Sequence, residues 1–69
     1  MKGFKQVHLI VFDKGSNYEK IPYTPDFYSE GDALSYWDER KLNIQYLNPH
    51  NYPIFVIRKE IHSVAVKEL

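Results

Sequence analysis

The sequence predicts a small, mainly β single domain over residues 1–69, a meander or barrel of five to six short antiparallel strands. Three observations carry that expectation. Residues 5–12 and 62–67 alternate β-branched or aromatic side chains with polar ones, the period of a half-buried strand. Residues 54–57, Ile-Phe-Val-Ile, form a continuous apolar run of strand length. Gly15, Gly31 and the Asn48-Pro49 and Tyr52-Pro53 pairs punctuate the chain at short intervals, as turns between strands do.

Along the first segment, Val7, Leu9 and Val11 fall on one side and Gln6, His8, Ile10 and Phe12 on the other. Asp13-Lys14-Gly15-Ser16 then reads as a turn, because glycine accepts a positive φ and an aspartate side chain can bond the backbone ahead of it. Residues 17–24 resume an extended pattern, and Pro22, which has no N–H for a ladder, argues for a sheet edge or a bulge. Residues 5–24 are therefore expected to form a hairpin.

Residues 26–43 admit two readings. As a hairpin, residues 26–29 and 33–37 flank a Glu30-Gly31-Asp32 tip, and the aromatic-rich arms suit strands. As a helix at about 29–42, Ser29 would be the N-cap with Asp32 at its third position, Arg40 and Lys41 would meet the negative end of the dipole, and Asn43 would stop it. Gly31 in the first turn and the mediocre helix formers Ser35, Tyr36 and Trp37 favour the hairpin, with α+β as the alternative. Residues 48–53 are a loop, residues 54–57 and 62–67 supply two more strands, and residues 58–61 bend between them, with Val64 and Val66 inward.

Two stretches resemble known proteins. Residues 26–34 with Tyr36, and the closing pattern Phe55-Val56-Ile57-Arg58-Lys59-Glu60-Ile61-His62-Ser63-Val64-Ala65-Val66, are similar to small uncharacterised all-β proteins of low-GC Gram-positive bacteria and their phages. The closing pattern also resembles the last two strands of SH3-like and Sm-like barrels, in which a short 3₁₀ turn joins them. The resemblance implies an SH3-like meander and a phage or mobile-element setting. It implies no activity and no site residue.

Composition narrows the function. Nine Lys plus Arg balance nine Asp plus Glu, so no whole-chain field draws the protein onto nucleic acid or an anionic membrane. No cysteine is present, which removes disulfides, thiolate catalysis and cysteine-ligated zinc. The longest apolar runs are four to five residues against roughly 20 for a membrane span, and no cleavable leader is evident, so a soluble, cytoplasmic protein is expected. His8, His50 and His62 lack a ligand spacing and are read as two solvent-facing strand residues and a loop residue. No serine sits in a nucleophile elbow, and the three glycines are too dispersed to cradle a phosphate. Asp26 and Asp32 could serve as an acid and a base only inside a cleft, and turn chemistry explains them more simply. The expectation is a protein without catalytic residues, cofactor or metal.

The neutral total conceals a polarised chain. Residues 21–40 hold five acids against Arg40, whereas residues 1–20 and 41–69 are each net basic. Aromatic rings bracket the acidic stretch, and since adjacent residues of a strand point to opposite faces, one ring of Phe27/Tyr28 and one of Tyr36/Trp37 must lie outside the core. An exposed aromatic beside charge is the composition of a binding hot spot. The candidate partner-binding residues are Phe27, Tyr28, Glu30, Asp32, Tyr36, Trp37 and Asp38, within an acidic-aromatic region at residues 27–39. The functional expectation is a non-enzymatic interaction or inhibitor module that binds another protein, with a homodimer through a sheet edge or tyrosine-rich face as companion. The alternative is a small β-barrel binding single-stranded nucleic acid through its lysines and tyrosines, disfavoured by the acidic tip.

Overall fold

The computed structural model describes residues 6–69. Lys2, Gly3 and Lys5, which entered the sequence reading as basic, terminal and strand residues, lie outside the described residues. The elements are β1 (Val7–Asp13), β2 (Tyr18–Lys20), α1 (Glu30–Tyr46), β3 (Ile54–Lys59) and β4 (Ser63–Glu68). They form one four-stranded sheet in the order β2-β1-β3-β4, every neighbouring pair antiparallel, with the helix against one face.

The β1–β2 hairpin follows from its turn. Asp13 Oδ1 accepts from the Ser16 N–H at 2.7 Å, Gly15 takes φ 73°, and the strands close with Val11 opposite Lys20 and Asp13 opposite Tyr18. Pro22 ends β2 after three residues, at the sheet edge as expected. On β1 the alternation is as the sequence suggested. His8, Ile10 and Phe12 face the helix, opposite Arg58, Val56 and Ile54 of β3. Val7, Leu9 and Val11 face away, opposite Lys59, Ile57 and Phe55. The core is the cluster of Ile10, Phe12, Ile21, Phe27, Ala33, Ile44, Ile54 and Val56, with Leu34, Tyr36 and Trp37 of α1 packed partly against it.

The hairpin expected over residues 26–37 does not form; residues 30–46 are helix. Two physical reasons decide it. β2 and β3 are both antiparallel to β1 and hence parallel to each other, and such strands can be joined only by a long crossover, which a helix fills. The cap also forms: Ser29 is extended at φ −143°, ψ 153°, and its Oγ accepts from the Asp32 N–H at 3.1 Å. The helix runs past Asn43 to Tyr46. Its last turn is closed by the Leu47 N–H donating to the Ile44 carbonyl at 2.9 Å, and Asn48 then pins the loop through two 2.9 Å bonds with the Tyr52 backbone.

Among the described residues four strands are present, and the sheet they form is open at β2 and β4 rather than closed as a barrel. The link between β3 and β4 is a bend at residues 60–62, with no 3₁₀ turn. Of that strand pair Val66 packs toward the core, whereas Val64 on the same side stays exposed. His8 is the second correction. Expected in solvent, it lies buried at 7% exposure, because β1 is an inner strand and Phe27 bridges it on the free side: the His8 N–H donates to the Phe27 carbonyl at 2.7 Å, and the Phe27 N–H returns to the His8 carbonyl at 3.0 Å.

Candidate interaction surface

The helix sorts the residues singled out in the sequence. Its inward side is narrow: Ala33 and Ile44 are buried, eleven positions and about three turns apart, with Trp37 between them and Leu34 and Tyr36 on the flanks. The opposite side carries Ser35, Glu39, Leu42 and Tyr46 at i, i+4, i+7 and i+11, which places them along one line. Asp32 and Asp38 border that line and are exposed. The outer face is thus acidic over its first half and apolar over its second. Leu42 is 73% exposed and Tyr46 86%, one turn apart, and a shallow depression runs between them beside Asn43 and Gln45.

The fold divides the predicted set. Asp32 and Asp38 come together on the outer helix with half-buried Glu30 at its start, and Tyr28 is exposed just before the cap. Phe27 faces inward and is buried, so it belongs to the core and not to a binding surface. Tyr36 and Trp37 are half-buried against the core. Tyr36 meets Phe27 at 5.2 Å between ring centroids and carries the Arg40 guanidinium over its ring at 4.7 Å. The separation of Phe27 from Tyr28 follows the sequence argument; that of Tyr36 from Trp37 does not, since on a helix neighbours diverge by about 100° and both reach the core margin.

Helix ion pairs leave the acidic half partly balanced. Lys41 Nζ lies 3.8 Å from Asp38 Oδ1, and Arg40 lies 3.4 Å from Glu39 Oε1, all exposed and individually weak. Asp26 is elsewhere, accepting from Lys20 Nζ at 2.8 Å, so it does not pair with Asp32. The sequence reading missed Leu42 and Tyr46. The available signal was their i, i+4 spacing on the side away from Ala33 and Ile44, visible once the helix is accepted.

Among the described residues no helix lies on the other sheet face. Tyr18 and Phe55 reach across β1 to an edge contact at 6.0 Å, beside buried Val11, with Lys20 and Lys59 toward the rim. No helix is long and apolar enough among the described residues to cross a membrane. No family model, no curated protein and no solved structure matches this chain.

Proposed function

We propose that this domain is a non-enzymatic interaction module, of binding or inhibitor type, and that its docking surface is the outer face of α1. The observation that carries the reading is the exposed Leu42–Tyr46 pair in line with Glu39 and flanked by Asp38. A solvated helix face ordinarily keeps such large side chains apart from one another, and aromatic anchors beside charge make hot spots. The complementary partner is a cationic amphipathic segment, its apolar side over Leu42 and Tyr46 and its basic side toward Asp32, Asp38 and Glu39.

Titrating the ¹⁵N-labelled protein with a synthetic helix of leucines and lysines tests this. Amide shifts should map to residues 35–46, and Leu42→Ser/Tyr46→Ser should weaken binding by about tenfold or more, the scale of losing one hot spot. Shifts confined to the sheet, or equal affinity of the double variant, would remove the helix face from the reading. Single-stranded nucleic acid is the second reading, supported by the Tyr18–Phe55 ring pair on the sheet face away from α1, the face that also carries Lys20 and Lys59. Zero net charge and the Lys20–Asp26 pair weigh against it. Fluorescence anisotropy at about 50 mM salt decides, because phosphate-dominated binding is strongest at low salt.

A further inference from the structure

Where α1 ends, the chain surrounds an open cavity of about 320 Å³, at the small end of the range of about 300–1,000 Å³ in which low-molecular-weight ligands bind. Trp37 is its aromatic wall, half-buried against the core. Three side-chain amides share the lining: Gln45 from the last turn of the helix, and Asn48 and Asn51 from the loop that follows. Asn48 is buried at 8% exposure and held in place, because its Nδ2 donates to the Tyr52 carbonyl and its Oδ1 accepts from the Tyr52 N–H, both at 2.9 Å. Those two bonds use half of its capacity; one N–H and one lone pair remain. Gln45 and Asn51 are exposed, so their amides meet water in the free protein. No charged side chain of the described residues lines the cavity.

That lining selects a ligand by elimination. A phosphate, carboxylate or ammonium group would lose hydration with no opposite charge to meet, and a purely apolar ligand would strip water from the amides and leave them unpaired. A ligand that satisfies amides offers donors and acceptors together, as hydroxyl groups do, since each hydroxyl gives one hydrogen and accepts through two lone pairs. A ligand that satisfies the indole also needs an apolar face, whose C–H hydrogens meet the negative face of the ring. A pyranose combines the two, with hydroxyls around its rim and a patch of C–H bonds on its face. We propose that this cavity is a binding site for a neutral sugar, one pyranose unit stacked on Trp37 with its hydroxyls bonded to Gln45, Asn48 and Asn51. A ligand of that size makes few contacts, so the dissociation constant is on the order of 1 mM. Leu42 and Tyr46 do not line the cavity, and this site and the helix-face reading can fail separately.

Trp37 is the sole tryptophan of the chain, so tryptophan emission comes from the wall of this cavity alone. Titration with glucose, galactose, mannose and N-acetylglucosamine, each to about 50 mM, should give a saturable change in that emission for at least one of them. With that sugar, the side-chain amide signals of Asn48 and Asn51 should move in ¹⁵N spectra of the wild-type chain. Asn51→Gly removes one amide and accepts the φ of 56° without strain, so it should weaken binding about threefold to tenfold with circular dichroism unchanged. Leu42→Ser/Tyr46→Ser should bind the sugar as the wild type does. A linear, unsaturated response to all four sugars would overturn the proposal, as would a saturable one that Asn51→Gly leaves unaltered or that the double variant abolishes. Tighter binding of adenosine, which also stacks on an indole and bonds amides along one edge, than of any sugar would overturn it too.

Discussion

His8 sits on the helix side of an inner strand, its Nδ1 buried and without a hydrogen-bond partner among the described residues. Its cross-strand neighbour is Arg58, whose Nε is 2.9 Å from Glu60 Oε2 in an ion pair poorly aligned for a hydrogen bond. An unpartnered buried polar atom costs about 1–3 kcal/mol, and an apolar replacement of similar shape removes that cost. His8→Leu should therefore raise stability by about 1 kcal/mol, read as a higher urea midpoint with an unchanged slope. A lower midpoint would mean that the imidazole is held by a contact the burial argument omits. Tyr23 offers a second residue-scale test. It follows Pro22 in the turn closed by Thr24, whose N–H and Oγ1 both donate to the Ile21 carbonyl, and it holds φ 68° while 91% exposed. A left-handed conformation costs an ordinary L-residue about 1–2 kcal/mol, and asparagine tolerates it better. Tyr23→Asn should gain roughly 0.5–1 kcal/mol, since little packing is lost; a net loss would show that the ring has a contact. Neither position was legible in the sequence. Strand alternation fixes only which side His8 takes, and Pro22 announces a turn without saying that the next residue must carry the positive φ.

At the scale of elements, α1 is held more by its cap and crossover geometry than by a broad apolar stripe, since only Ala33 and Ile44 are fully buried along it. Ser29→Ala should cost about 1 kcal/mol, and Ser29→Asp should retain most of it, because aspartate also accepts from the N–H of the third position. Equal losses for both would assign the effect to something other than the cap. The Ser29-to-Asp32 signature was readable in the sequence, but residue-by-residue propensity outweighed it. What tips the balance is the pairing of β1 with both β2 and β3, a long-range fact that local propensities do not contain. The β1–β2 hairpin was legible for the opposite reason, its turn being local. Lys14 from that turn bonds Glu19 of β2, and this hydrogen bond, opposed by desolvation and aided by the attraction of the Glu19 charge, holds the ammonium above its ordinary 10.5. A raised lysine value supports the folded form below the unfolded value and loses that support as pH rises through the folded one. The protection of amides 14–19, taken relative to their base-catalysed intrinsic exchange, should thus stay unchanged through the neutral range and fall only in strong alkali. Lys14→Met should abolish that alkaline step, and a step persisting in the variant would assign it to another group.

For the whole molecule, one small core supports every element. A chain of this length has a net stability of about 3–10 kcal/mol, and ten buried apolar side chains among the described residues supply burial behind it. The strands that enclose this core were readable because period-2 alternation and the Ile54–Ile57 run survive any arrangement of neighbours. Openness of the sheet was not, since closure depends on how many strands exist, and the misassigned segment altered that count. The same split organises the surface: Phe27, taken from the sequence as a binding residue, is part of the core, while Leu42 and Tyr46, which that reading passed over, project from it. A paired substitution measures this division. Ile10 is fully buried on the helix side of β1, beside Val56 of β3, and Ile10→Ala should cost about 2–5 kcal/mol through lost transfer energy and the cavity left behind. In a domain of 60–100 residues that lowers the melting temperature by roughly 10 °C or more. Leu42→Ala should stay within about 0.5 kcal/mol of wild type, as surface substitutions do. Thermal unfolding of the two variants side by side gives the answer. Comparable losses would mean that Leu42 is packed in the isolated protein, and the outer helix face would then cease to be a surface open to a partner.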